Sequence, residues 1–208
     1  MGIVNYKNGV ASMGIPVVGG LQDTAGKVWF VDGNFGSNGN SGTSWDKPWK
    51  TLAYAFARSH GDITQGAKGW AARNTIFIKG DQFEEDLVAF PQKTDVIGMG
   101  SDTGFPMAGI KGCHVPVTTT TNAYMKTGTT YGAQYGTRFF NIRFIPSSAA
   151  ALVTLPSGVA AVQFRGCLFD ATGTGVATRG ILATASTYLH VKNCRFQGAF
   201  SSDYINFG

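Results

Sequence analysis

Three segments in the second half of the chain repeat one pattern: Thr137-Arg138-Phe139-Phe140-Asn141-Ile142-Arg143-Phe144, then Val162-Gln163-Phe164-Arg165-Gly166-Cys167-Leu168-Phe169, then Leu189-His190-Val191-Lys192-Asn193-Cys194-Arg195-Phe196. Their equivalent phenylalanines, Phe144, Phe169 and Phe196, lie 25 and 27 residues apart. A unit of that size cannot bury its apolar face alone and must stack on its neighbours. Strand alternation sends Thr137/Val162/Leu189 and Phe139/Phe164/Val191 inward, and Arg138/Gln163/His190 and Phe140/Arg165/Lys192 outward. Continued alternation would bury Asn141, Gly166 and Asn193 and expose Ile142, Cys167 and Cys194, a poor choice for both sets. Asn and Gly most readily take the left-handed backbone, so this column reads as a one-residue corner between two strands. Beyond it the Ile/Cys/Cys and Phe columns point inward and Arg143/Leu168/Arg195 outward. The expected result is a parallel β-helix with strands about 4.8 Å apart. The alternative is an antiparallel sandwich whose segments are similar by accident.

A chain of 208 residues suits one domain, or one domain with an appended arm. Only 14% of residues are charged, 12% are aromatic and 29 are glycine, a balance that favours turn-rich β structure over helix. The formal charge of +5 contains no basic run, which argues against a nucleic-acid partner. No apolar run approaches the roughly 20 residues that span a bilayer, and the first residues lack a secretory signal pattern. Three cysteines make no disulfide framework, and Cys113 has no evident partner. Cys167 and Cys194 share a column, either as a bridge or, the favoured reading, as small apolar core residues.

Three regions are expected: an extended N-terminal arm over 1–26; a strand, a Gly/Asn loop and a capping helix over 27–70; and parallel β-helix coils over 71–208. The arm is rich in glycine and small apolar residues, and its uncharged run from Gly9 to Leu21 favours docking on a partner. In the loop, Asp32, Asn34 and Asn38 superficially resemble a calcium loop, but the spacing and terminal Glu are missing and a turn cluster is preferred. Thr51 is a candidate helix cap, with Leu52, Ala55 and Phe56 on one face.

The run VWFVDGNFGSNGNSGTSWDKPWKTLAYAFA resembles the opening of pectate-lyase-like right-handed β-helix proteins. NTIFIKGDQFEEDLVAF and TDVIGMGSDTGFPMAGIKG are similar to the first and second coils of that superfamily. The resemblance covers about residues 27–208 and implies an all-β right-handed parallel β-helix. It does not imply one activity, since such proteins include lyases, hydrolases, tailspikes and inactive structural proteins.

A lyase of this class would need carboxylates for calcium and a basic residue, and a glycosidase would need paired carboxylates. The chain has twelve acidic residues, and after residue 137 only Asp170 and Asp203. Glu84-Glu85-Asp86 is read as a solvated turn. Arg138, Arg165 and Lys192 form an outward strip suited to an acidic glycan or simply to solvent, with Arg143 and Arg195 on a neighbouring strip. Residues 113–136 read as an excursion or a coil with long turns, whose Tyr124, Tyr131 and Tyr135 suit sugar stacking or an interface. His60, His114 and His190 lack metal-ligand spacing. No catalytic, cofactor-binding or metal residue is therefore assigned.

The expected function is a non-enzymatic structural or receptor-binding protein of a virus particle, of tailed-bacteriophage tailspike, fibre or capsid-surface type. The alternative is a polysaccharide lyase or hydrolase, and a third reading is a secreted adhesin. The expected partners are other virion subunits through the arm, further copies of the chain (three by resemblance) and a cell-surface glycan. The final SSDYINFG shows no closing cap, so the last coil is expected to dock on another chain, the alternative being that the natural protein continues beyond it. The expected location is the virion, with secretion as the alternative.

Overall fold

The computed structural model describes residues 10–12, 15–17, 26–65, 72–80, 83–85, 91–99, 115–119, 123–124, 134–146, 151–155, 159–172, 177–183 and 188–207. For 10–12, 15–17, 64–65, 84, 115–119, 123–124, 134–135, 146 and 159 the description is of the backbone. The side chains of Glu84, Tyr124 and Tyr135, and all of Asp86, Cys113, His114 and Tyr131, lie outside it.

Within the expected arm, β1 (Val10–Ser12) and β2 (Ile15–Val17) pair antiparallel with each other. Strand β3 (Val28–Asp32) precedes the helix α1 (Leu52–Gln65), and β4 (Asn74–Lys79), β5 (Phe83–Glu85) and β6 (Thr94–Gly98) follow it. Next come β7 (Val115–Thr119), β8 (Ala123–Tyr124), β9 (Gln134–Tyr135), β10 (Arg138–Phe140), β11 (Ile142–Pro146), β12 (Val153–Leu155) and β13 (Val159–Ala160). The chain finishes with β14 (Gln163–Arg165), β15 (Leu168–Ala171), β16 (Ile181–Ala183), β17 (His190–Lys192), β18 (Arg195–Gly198) and β19 (Ile205–Phe207).

Among the described residues every pairing except β1 with β2 is parallel, which removes the antiparallel sandwich. A six-stranded sheet runs β17-β14-β10-β6-β4-β3, a five-stranded sheet β18-β15-β11-β7-β5, and a four-stranded sheet β19-β16-β12-β8. Strands β13 and β9 form a fourth, two-stranded parallel pair.

The repeat sets the register of these sheets. Phe139 stands opposite Phe164 and Phe164 opposite Val191, while Phe169 stands opposite Phe196. Asn141, Gly166 and Asn193 have φ of 54°, 61° and 54°, the left-handed corner expected from their residue types. Each corner turns the chain from the six-stranded to the five-stranded sheet. Both rows flanking it then face one core, where Phe139, Phe144, Phe164 and Phe169 are fully buried. Phe139 stacks on Phe164 at 5.3 Å, Phe144 on Phe169 at 5.3 Å, and Phe169 on Phe196 at 4.6 Å. Leu168, in the outward column, is nevertheless buried, in contrast to Arg143 and Arg195.

This arrangement corrects the expectation of a right-handed parallel β-helix running through 71–208. The chain is mostly β, but it forms several small parallel sheets and one short helix instead of a regular solenoid. The sheets begin at different points, β3, β5 and β8, and their strand number falls from six to four. Strands are two to six residues long. The physical reason is that the repeated octapeptide specifies the pairing around its own corner and nothing beyond it. The intervening 17 to 19 residues differ from unit to unit and do not continue one coil. Nor is 113–136 purely an excursion, since β7, β8 and β9 within it each join a sheet.

Helix α1 covers the β3 end of the core. Its buried residues Leu52, Ala55, Phe56, Ser59, His60 and Ile63 recur at helical spacing. Thr51 caps it, its hydroxyl accepting from Tyr54 N at 3.4 Å. A second cap comes from far along the chain: the Glu85 carboxylate accepts from Leu52 N at 2.7 Å and Ala53 N at 2.8 Å. Glu85 is thus a half-buried helix cap and not part of a solvated turn.

Candidate functional site

The outer face of the six-stranded sheet carries a continuous row across all its strands. Successive registers place Phe30, Phe77, Ile97, Phe140, Arg165 and Lys192 side by side. At the strand spacing the row is about 24 Å long. Phe30 stacks on Phe77 at 5.7 Å, and Trp45 meets Phe30 edge-on at 4.8 Å. The first five members are half-buried and Lys192 is exposed. The Arg165 guanidinium lies over the Phe140 ring at 6.0 Å, and Lys79 Nζ lies 4.6 Å from the Trp45 ring. An apolar, mainly aromatic track thus runs into a cationic end. Rings of this kind stack on the C–H faces of sugars, and the cations pair with carboxylates.

The expected basic strip is divided by its partners. Arg138 belongs to the row beside this one and is bound to the Asp95 carboxylate, with Nε to Oδ1 at 2.6 Å; that bond holds its pKa above the ordinary value. Arg73 also reaches Asp95, at 2.9 Å. Arg143, across the corner, is paired with buried Asp170, with Nε to Oδ2 at 2.8 Å and Nη2 to Oδ2 at 2.6 Å. His190, Lys192 and Arg195 remain exposed at the last strands. The structure therefore brings Arg165 and Lys192 together with four apolar residues that the sequence reading did not join to them. Alternation within VWFVD, NTIFIK and TDVIG marks which residues face outward, but not which distant strand lies beside which.

Described carboxylates mostly serve the scaffold. Asp32 Oδ1 accepts from Asn34 N at 2.9 Å and Phe35 N at 3.1 Å, and Lys79 approaches Oδ2 at 3.2 Å. Burial raises its pKa, but these bonds prevail and leave it lowered. Asn38 Oδ1 accepts from Lys50 N and Thr51 N, which makes the Gly/Asn loop a turn cluster. Asp62 pairs with Lys27 at 2.6 Å, and Asp203 accepts from Asn206 at 2.8 Å. Among the described residues no group of three His, Cys, Asp or Glu is placed to hold a metal ion.

A second concavity, about 750 Å³, lies beside α1 and is lined by Lys27, Trp29, Trp49, Tyr54, Arg58 and Asp62. Its tryptophans are nearly sealed, at 6% and 5% exposure. Lys27 is taken by Asp62, and Arg58 donates to Tyr54 Oη at 3.0 and 2.7 Å. The polar groups of this groove are largely satisfied by one another, whereas the outer row ends in exposed Lys192 beside half-buried Arg165, whose Nη2 donates to Gln163 Oε1 at 2.9 Å.

Compared with known protein families, characterised proteins and solved structures, the chain matches none. The resemblance described above accordingly rests on its sequence motifs.

Proposed function

We propose that the chain is a non-enzymatic structural or receptor-binding protein of a virus particle, and that the outer row of the six-stranded sheet is its contact for an acidic cell-surface glycan. The observation that carries the glycan contact is the register that sets Phe30, Phe77, Ile97 and Phe140 in line with Arg165 and Lys192. An extended polymer of acidic sugars would lay its ring faces on the apolar track and its carboxylates against the cations. The non-enzymatic reading is supported by the carboxylates at Asp32, Asp62, Glu85, Asp95 and Asp170, which hold turns, a helix end and ion pairs. The placement in a particle is supported by the apolar, glycine-rich residues 1–26, read as an arm that docks on other subunits.

The test is binding of the full chain to a panel of acidic and neutral polysaccharides, with the products analysed for new chain ends. Acidic polymers should bind and remain intact. Replacing Arg165 and Lys192 together by alanine should weaken binding about ten-fold or more, and rising salt should weaken the unaltered chain. Cleavage of the polymer would replace this reading with a lyase or hydrolase.

A further inference from the structure

Cys167 and Cys194 occupy the first position after the corner on neighbouring strands. Arg165 opposite Lys192 and Leu168 opposite Arg195 bracket them, so the two cysteines face each other in register. Arg195 N donates to Cys167 O at 2.9 Å, which fixes that register at the cysteines themselves. Neighbouring strands separate paired Cα atoms by about 4.8 Å, within the roughly 4.4–6.8 Å that a disulfide spans. Both thiols are free; Cys167 Sγ donates to Phe139 O at 3.5 Å and Cys194 Sγ to Lys192 O at 3.4 Å. They differ in access: Cys167 is 1% exposed, whereas Cys194 is half-buried.

We propose that Cys167 and Cys194 are a reversible dithiol–disulfide pair that staples the last strands, β17 and β18, to β14 and β15. The oxidant is a small disulfide of the glutathione class. Cys194 attacks it as the thiolate: a bond forms from Cys194 Sγ to one oxidant sulfur, the oxidant's S–S bond breaks and one thiolate leaves. Cys167 then loses its proton to solvent and attacks Cys194 Sγ. The protein disulfide forms as the second oxidant thiolate departs. Two protein thiols are oxidised, one small disulfide is reduced to two thiols, and the reaction reverses with excess small thiol.

The division of roles follows from the surroundings. The neighbouring Cys167 thiol lowers the Cys194 pKa to about 7, so much of it is thiolate at neutral pH. Burial pushes the Cys167 thiol well up, so it waits as the resolving partner. The location gives the staple a purpose. Strands β17 and β18 each end a sheet, and Val191, Cys194 and Phe196 there are only partly buried. A cross-link across 27 residues would secure the layer that packing holds from one side.

The test treats the full chain, alongside a Cys113→Ser chain, with oxidised glutathione at neutral pH under native conditions. The Cys113→Ser chain should lose about 2 Da, with no glutathione retained, and recover with dithiothreitol. Trypsin should release Gly166–Arg179 joined to Asn193–Arg195. Oxidation should raise Tm by about 5–10 °C. Alkylation of Cys194 should speed up about five-fold between pH 6 and pH 7, as its thiolate fraction grows. A chain that stops at glutathione on Cys194, that takes up no oxidant, or whose bridge runs to Cys113 instead overturns the proposal. A Cys194→Ser chain in which Cys167 still reacts readily in the folded state overturns the assigned order of attack.

Discussion

Phe169 is the residue on which the stacked core most depends, because its ring lies between Phe144 and Phe196 and is wholly buried. Phe169→Ala should lower stability by about 3–5 kcal/mol, read from urea unfolding; Phe196→Ala, at the partly buried end of the stack, should cost less. Asp170 is the corresponding electrostatic position. Burial raises its pKa, but bonds from Thr172, Gln197 and Arg143 outweigh that and leave it below the ordinary 3.8. The unfolded chain then binds the Asp170 proton more readily than the folded one. The contribution is fully present above about pH 4 and is lost as pH falls through the lowered folded value. Asp170→Asn should therefore flatten the acid limb of stability against pH, while Arg143→Ala, which leaves the buried carboxylate without its cation but with its Thr172 bonds, should cost about 3 kcal/mol at neutral pH. The phenylalanine column was legible because a recurring interval betrays stacking. The Arg143–Asp170 pair was not, because its partners are 27 residues apart and nothing local links them.

At the scale of elements, α1 was legible from its own residues: Thr51 as cap, and Leu52, Ala55 and Phe56 as the buried face. Its second cap was hidden. Glu85 arrives on β5 and accepts two first-turn N–H groups, satisfying donors that the helix cannot pair itself. Glu85→Ala should weaken the chain by about 1–2 kcal/mol, with hydrogen exchange of the first α1 turn accelerated more than that of β14 or β15. Equal acceleration throughout would show that the carboxylate matters to the whole fold and not to this helix end. Burial raises the Glu85 pKa above its ordinary 4.5 despite those bonds. Its ionised form is thus a cost above the folded value that is relieved as pH falls, opposite in sign to Asp170.

On the scale of the whole molecule, β17, β18 and β19 each terminate a sheet, and Tyr188, Tyr204 and Phe207 there are exposed by 82%, 57% and 66%. Strand ends and aromatic rings together invite pairing with another chain. The native mass should accordingly be a multiple of 22.0 kDa, and Tyr188→Ser with Phe207→Ser should shift it toward the single chain in light scattering. A monomer that these changes leave unaltered would remove further copies of the chain from the expected partners. By itself, the sequence determined the left-handed corners, the inward and outward columns of the three repeats apart from buried Leu168, the helix and its apolar face, because each depends on the chemistry of residues close in the chain. Tertiary structure decided where the sheets begin, which cations are neutralised, and that Phe30 and Phe77 align with Arg165 and Lys192. Those outcomes depend on register between strands far apart in the chain, and side-chain periodicity within one strand carries no record of which distant strand lies beside it.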